Sequence, residues 1–351
     1  MSTESNTEPL INSRHKFWLS HATLEKRLSF VLPEYRADKF STTTTDLASN
    51  ASFVSYVRHH RLTDLTSGET LDVIEKSIRK ILFITSLESR FYRERDALAK
   101  SLHFKHPDCL GVIETPWESL IFTGFVQGRP PRMSAIAKPV ASGIAEIEVL
   151  SNQHLKQANK WQAPKFWTMD FFRPWYLLRS RFNFERYLYS LEELARDDHR
   201  FAGLPSRLRA LRPLLSRAAK KAKATPHCFC HMDYLRKNFF IAPEGLQMID
   251  WSEFKIGRIG FDGGSYLSAV FRRADMERFA TTRAEFVQTY LAALDPRFDP
   301  QLALHNIDYF FLQNSLWHFL RPKTIAEYQK KEKMPLLREK YEYLLTLQIP
   351  H

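Results

Sequence analysis

The 351-residue chain carries 51 Lys and Arg against 39 Asp and Glu, a formal net charge of +12, with 44% hydrophobic and 26% charged residues. That is the balance of a globular protein with core enough for one large domain or two lobes. No stretch approaches the ~18 apolar residues of a membrane span. The polar start (MSTESNTEPLINSRHK) lacks the apolar centre of a secretory signal, and three cysteines make no disulfide framework, so a cytoplasmic protein is expected.

In chain order, residues 1–27 are expected to form a disordered tail. An N-terminal lobe over 28–126 is β-rich: Phe53–Val57 reads as a strand, Asp64 to Gly68 as a polar turn, and Leu71–Lys76 as the returning strand of a hairpin. Ile74 and Lys76 lie two apart and share a strand face. The spacing of Phe91, Leu98 and Leu102 predicts a helix from Leu87 to Leu102, and Ser119–Thr123 reads as another strand. It runs into Gly124–Pro131, a breaker-rich segment expected to be a hinge. The rest, 127–351, is expected to be a larger helical lobe, with helices over Ile136 to Leu155, Phe182 to Arg196, Ser206 to Lys223, Arg283 to Leu294 and Asn306 to Phe319.

One segment of that lobe breaks the helical pattern. Asp233 and Asn238 stand five positions apart on a polar loop that begins at His231; the apolar run Phe239–Ile241 follows, then a turn at Pro243-Glu244-Gly245, then a second apolar run ending in Asp250. This is a hairpin with two carboxylates and an amide gathered at one end. Phosphoryl transfer uses such a set: one carboxylate orients the attacking hydroxyl and accepts its proton, while an amide oxygen and a second carboxylate hold the magnesium that bridges the phosphates. A polar turn holding Asp and Asn is common and by itself says little. Its weight comes from Asp250 at hairpin distance and Asp262 beyond it. The neighbouring Cys228, Cys230, His227 and His231 are too closely spaced to wrap a zinc ion, and the two cysteines read as small apolar residues on one strand face. The aromatics Phe166, Trp167, Phe171, Phe172, Trp175 and Tyr176 read as core, with a substrate wall as the functional version.

The order of strand lysine, helix glutamate, hinge, His231-Met232-Asp233 with Asn238, Ile249-Asp250-Trp251, then Gly257 and Asp262 resembles the aminoglycoside phosphotransferase and choline kinase group. The resemblance covers roughly Ser49 to Ser268. It implies an α+β fold, the bilobal protein-kinase-like one, and an enzyme that uses ATP and Mg2+ to phosphorylate a hydroxyl of a small molecule. By the same resemblance Asp233 is the catalytic base, and Asn238 and Asp250 hold the metal. Lys76 binds the α and β phosphates, paired with a glutamate for which Glu88 and Glu94 compete; Glu94, taken as mid-helix, is the expected partner. Gly124, Phe125 and Val126 face the adenine, and Ser49, Asn50 and Ser52 occupy the place of a phosphate loop without glycine. His231 and Asp262 support the catalytic loop, while Arg236 and Lys237 are candidate phosphate or substrate contacts. Met232 stands where the family has glycine, and Leu235 where it often has His or Lys. The basic chain favours a neutral or anionic acceptor such as a sugar or phosphorylated metabolite over an aminoglycoside. Because the phosphate loop and Met232 depart from the family pattern, the competing expectation is an inactive kinase-like module that binds nucleotide or a partner. No nucleic-acid-binding motif is present.

Overall fold

The computed structural model describes Leu19 and residues 22–47, 54–80, 86–157 and 174–347. The chain divides into two compact units: residues 1–99, 105–129 and 240–253 form the first, and 100–104, 130–239 and 254–351 the second. The fold is mixed α+β, with a sheet in the N-terminal region and helices in the C-terminal region. Among the described residues, no helix is long and apolar enough to cross a membrane.

The first unit is built on an antiparallel sheet of five strands in the order β1-β2-β3-β6-β5, formed by β1 (Phe40–Leu47), β2 (Val54–Asp64), β3 (Thr70–Arg79), β5 (Cys109–Glu114) and β6 (Glu118–Gly124). A two-residue strand β4 (Phe104–Lys105) precedes β5. Leu62, Val73, Ile113, Leu120 and Phe122 form one side of the unit's core; Leu19, Leu28, Val31, Leu32 and Tyr35 cover them from the N-terminal residues. Of the tail expected over residues 1–27, residues 1–18, 20 and 21 lie outside the described part. Its end is ordered: Leu24–Val31 is a helix, and Arg27 Nη2 donates to the buried Glu75 Oε2 at 3.3 Å. β1 was not expected. Its run FSTTTTDL shows little alternation of apolar and polar residues because most of it is exposed, and only the β-branched threonines favour an extended chain.

The predicted helix from Leu87 to Leu102 is shorter in the structure. It runs over Leu87–Glu94, capped by Ser86, and tightens into a 3₁₀ turn at Arg95–Leu98. The hairpin of β8 (Phe239–Ala242) and β9 (Gly245–Met248) forms where expected. However, residues 240–253 group with the first unit, not with the C-terminal lobe expected over 127–351. The physical reason is Trp251: fully buried, it stacks flat on Phe91 with ring centroids 3.7 Å apart and meets His106 edge-on at 5.3 Å.

In the second unit β7 (His227–Cys230) pairs antiparallel with β10 (Lys255–Arg258), Gly257 opposite Cys228. The five expected helices are observed as Ala137–Gln157, Pro174–Asp197, Leu204–Ala222, Met276–Ala293 and Pro300–Phe319; Phe261–Arg273, Pro322–Lys330 and Met334–Thr346 are additional. Phe261–Arg273 lies close against Pro300–Phe319. At Gly260, with φ of +83°, an added Cβ would sit 2.5 Å from Ala303 O, and at Gly264 one would sit 2.6 Å from Ile307 O. Side chains at these two positions would push the helices apart.

Candidate active site

In the second unit the loop after β7 is gripped by the first turn of the helix Phe261–Arg273. Asp262 Oδ2 accepts the His231 backbone N–H at 2.8 Å, Asp262 Oδ1 accepts that of Met232 at 2.9 Å, and the Tyr234 hydroxyl donates to Oδ2 at 3.0 Å. Ser265 Oγ donates to Met232 O at 2.6 Å, so both polar groups of that peptide backbone are held. This grip places Met232 at φ +68°, a left-handed conformation that costs a side-chain-bearing residue roughly 1–2 kcal/mol. The glycine of the family pattern would adopt it freely. Burial pushes the Asp262 carboxyl up, against the pull of the His231 N–H and imidazole and the Met232 N–H.

The same loop orients Asp233. Its N–H donates to His231 Nδ1 at 3.3 Å. Asn238 Nδ2 donates to Asp233 O at 2.8 Å and to Oδ2 at 3.0 Å. Leu235 N–H to Asp233 O at 2.8 Å and Asn238 N–H to Leu235 O at 2.9 Å close the turn between them. With its amide nitrogen committed to Asp233, Asn238 has its amide oxygen as the group left to offer a cation. Arg236 is committed elsewhere: Nε donates to Pro131 O at 3.0 Å and Nη2 to Pro130 O at 3.2 Å, which ties the loop to the Pro130-Pro131 segment. The expected phosphate contact is therefore not a free role for Arg236. Lys237 is exposed.

In the first unit, Lys76 on β3 lies opposite Val57 of β2 and Ile121 of β6. Its Nζ donates to Glu88 Oε2 at 2.6 Å and to Asp250 Oδ1 at 2.7 Å. Burial alone would lower the lysine's pKa, but the Glu88 and Asp250 carboxylates raise it above the ordinary value and hold the ammonium charged. The glutamate that pairs with Lys76 is thus Glu88, and Glu94 is corrected. Glu94 ends the short helix instead of lying mid-helix. Six residues make about one and two-thirds turns and ~9 Å of rise, so Glu94 presents a different face from Glu88. A signal was there to read: Glu88 follows the capping Ser86 by two residues, in the first turn, where the helix dipole favours a carboxylate.

Asp250 takes φ of +63°, the second left-handed non-glycine residue that carries a candidate role or adjoins one. In the hinge, Gly124 N–H donates to Asp108 O at 2.8 Å and Phe125 N–H to Asp72 O at 3.0 Å. Of the three hinge residues expected to face adenine, only Val126 retains a backbone donor for a base. Phe125 stacks on His59 at 4.7 Å, an arrangement the sequence reading did not include. Ser49, Asn50 and Ser52 lie outside the described residues, as do the rings of the aromatic cluster from Phe166 to Tyr176.

Residues 152–301 match the model of the phosphotransferase enzyme family. The chain is similar in structure to the amicoumacin kinase hAmiN in complex with AMP-PNP, Ca2+ and Ami: TM-score 0.54 at 12% identity, over 96% of this chain and 97% of that one. It is also similar to choline kinase from Cryptosporidium parvum Iowa II, with TM-score 0.51 at 13% identity over 89% of this chain and 90% of that one. No curated protein matches it in sequence. Residues 152–301 thus carry the pattern of the phosphotransferase enzyme family, and the chain shares the fold of these two kinases.

Members of a phosphotransferase family handle a nucleotide and its metal. Among the described residues there is no group of three or more His, Cys, Asp or Glu side chains that would cage an ion. An amide oxygen such as that of Asn238 and a carboxylate such as that of Asp250 are each the hard-oxygen kind of ligand that Mg2+ takes alongside its waters.

Proposed function

We propose that this protein is an ATP- and Mg2+-dependent cytoplasmic kinase that phosphorylates a hydroxyl of a small molecule, a sugar, aminoalcohol or aminoglycoside-like compound, with a lean towards a neutral or anionic acceptor. The observation that carries the reading is the Asp233–Asn238 turn. The Asn238 amide holds Asp233 through two hydrogen bonds, one to its backbone carbonyl and one to its carboxylate, on a loop whose backbone is clamped by buried Asp262. A base must be held within hydrogen-bond reach of the proton it takes, and a clamped loop supplies that at no cost in reorganisation.

In this reading Asp233 aligns the acceptor hydroxyl and takes its proton as the oxygen attacks the γ-phosphorus. Lys76, kept charged by its two carboxylate partners, binds the α and β phosphates. Asn238 and Asp250 hold the magnesium, which when bound neutralises phosphate charge. Asp250 already contacts Lys76, so nucleotide phosphates exchange one partner of the lysine for another without leaving it unpaired. Val126 offers its N–H to the base, and Ser49, Asn50 and Ser52 donate to the phosphates. Lys237, exposed beside the turn, adds positive charge on the acceptor side.

The test follows ADP release with Mg2+ and ATP over sugars, aminoalcohols and aminoglycosides, with Asp233→Ala as control. Acceptor-dependent turnover that disappears in the variant is expected. Nucleotide binding without turnover on any acceptor would favour the inactive-module reading, and absence of nucleotide binding would overturn both.

A further inference from the structure

Several arginines withdrawn from water in this chain meet carboxylates. Arg27 pairs with Glu75 at 2.9 Å, Arg93 with Glu114 at 2.9 Å and Arg283 with Asp308 at 2.7 Å, all partly or largely withdrawn from water. Arg272, largely withdrawn from water like these, and the exposed Arg321 do not pair this way. Among the described residues neither forms an ion pair.

Arg272 lies in the last turn of the helix Phe261–Arg273. Its Nη2 donates to the neutral amide oxygen of Asn314 at 3.1 Å, and its buried Nε has no partner. Asn314 stands on the facing helix Pro300–Phe319, one turn before Trp317 and His318. Arg321 lies just beyond that helix, its guanidinium 5.2 Å from the Trp317 ring centroid, and Tyr187 meets the same indole edge-on at 5.6 Å. Arg272, Arg321 and Lys340 all act on the half-buried His318, whose pKa falls to about 3, first through burial and then through these three cations. Asn314 and Trp317 lie one turn apart on one helix, so the partner of Arg272 and the ring beside Arg321 are neighbours and the two guanidiniums belong to one positive cluster. Burial and then Arg321 lower Arg272 to about 10, and the opposing influence comes from the Asp233 carboxylate. Ser265, which holds Met232 O beside the candidate base, and Arg272 lie seven residues apart on the helix Phe261–Arg273, about two turns and ~10 Å along the same face, so the cluster and the base share one side of the second unit.

A guanidinium held from water with only a neutral amide oxygen for a partner is a costly arrangement, because a charge taken from water needs a counter-charge. Arginine's planar fork matches carboxylate and phosphate oxygens, and an indole alongside supplies an apolar wall. We propose that the acceptor carries an anionic group, carboxylate or phosphate, besides the hydroxyl presented to Asp233, and that Arg272 and Arg321 beside Trp317 receive it. This rests on the phosphotransfer reading and narrows its acceptor class. A choline- or aminoglycoside-like cation would meet repulsion there.

The test uses matched acceptors on the full-length protein: glucose, gluconate and glucose 6-phosphate; glycerol, glycerate and glycerol phosphate; and choline. Steady-state rates with Mg2+ and ATP are paired with calorimetric binding of each compound alone. At least ~10-fold preference for an anionic member over its neutral parent is expected, a fold-change of the size given by one charge-assisted contact. Arg321→Gln, an exposed position that leaves folding intact, and Arg272→Lys, which keeps the charge and loses the fork, should raise KM for the anionic members and spare the neutral ones. Whether the carboxylate or the phosphate member is preferred identifies the source of the anion. Preference for the neutral compounds or choline, or equal loss on all acceptors in both variants, would overturn the proposal. Anion binding that depends on Arg272 and Arg321 without any phosphotransfer would keep the anion site and reject the kinase reading. Phosphotransfer without anion preference would do the reverse.

Discussion

The backbone N–H of Met232 donates to Asp262 Oδ1 at 2.9 Å across 30 residues of sequence, and this bond holds the residue beside the candidate base in a left-handed conformation. Asp262 is buried and accepts two further donors. Asp262→Ala leaves the His231 and Met232 N–H groups and the Tyr234 hydroxyl without their acceptor. Destabilisation of about 3–5 kcal/mol in urea unfolding is expected, with Asp262→Asn milder because one oxygen still accepts.

Met232 gives a second test. Replacing it with glycine relieves roughly 1–2 kcal/mol of left-handed strain but lets the unfolded chain gain entropy worth ~0.5–1 kcal/mol. The net change in stability should be within about 1 kcal/mol. Met232→Val, whose branched side chain disfavours positive φ more strongly, should destabilise by more than about 1 kcal/mol in the same urea titrations. A large loss in the glycine variant would show that the Met232 side chain has a packing role.

Glu88 and Glu94 make opposite predictions. Glu88→Gln removes the charge that meets Lys76 at 2.6 Å and should raise the nucleotide KM by about tenfold, the effect of one lost charge-assisted hydrogen bond. Glu94→Gln should leave it within about twofold. Equal effects of the two in steady-state kinetics would contradict the pairing.

Glu148 predicts a pH dependence. It is buried, accepts the Gly260 N–H at 2.6 Å and the Tyr290 hydroxyl at 2.6 Å, and burial raises its pKa from 4.5 to about 8. Between those two values the folded protein holds a proton that the unfolded chain has released. Stability therefore falls as pH rises through this window and levels off above about 8. At ~1.4 kcal/mol per unit the effect amounts to a few kcal/mol. Glu148→Gln keeps an acceptor for Gly260 and does not titrate. Melting curves should show its advantage over the natural protein growing from pH 5 to pH 9.

Much of the C-terminal half of this site could be read from the chain. The spacing of His231, Asp233, Asn238, Asp250 and Asp262 survives as a recognisable order because tight turns and a short hairpin impose it locally. The five long helices announced themselves by periodicity, though their ends did not. β1 was invisible because most of its FSTTTTDL run faces solvent and carries little apolar alternation. Arg236 looked free for substrate because nothing in sequence ties position 236 to the carbonyls of Pro130 and Pro131.

By itself, then, the sequence set the local order of the polar groups and pointed to phosphoryl transfer as the proposed chemistry, since both depend on residue identity and short-range turns. Tertiary structure alone decided the partners. Lys76 chose Glu88 over Glu94 through the length and phase of one short helix. The β8–β9 hairpin joined the first unit because Trp251 stacks on Phe91. Arg272 and Arg321 were left without carboxylates by the packing of two helices far apart in sequence. Burial and long-range pairing set the strength of each charge, and neither is a property of any short stretch of chain.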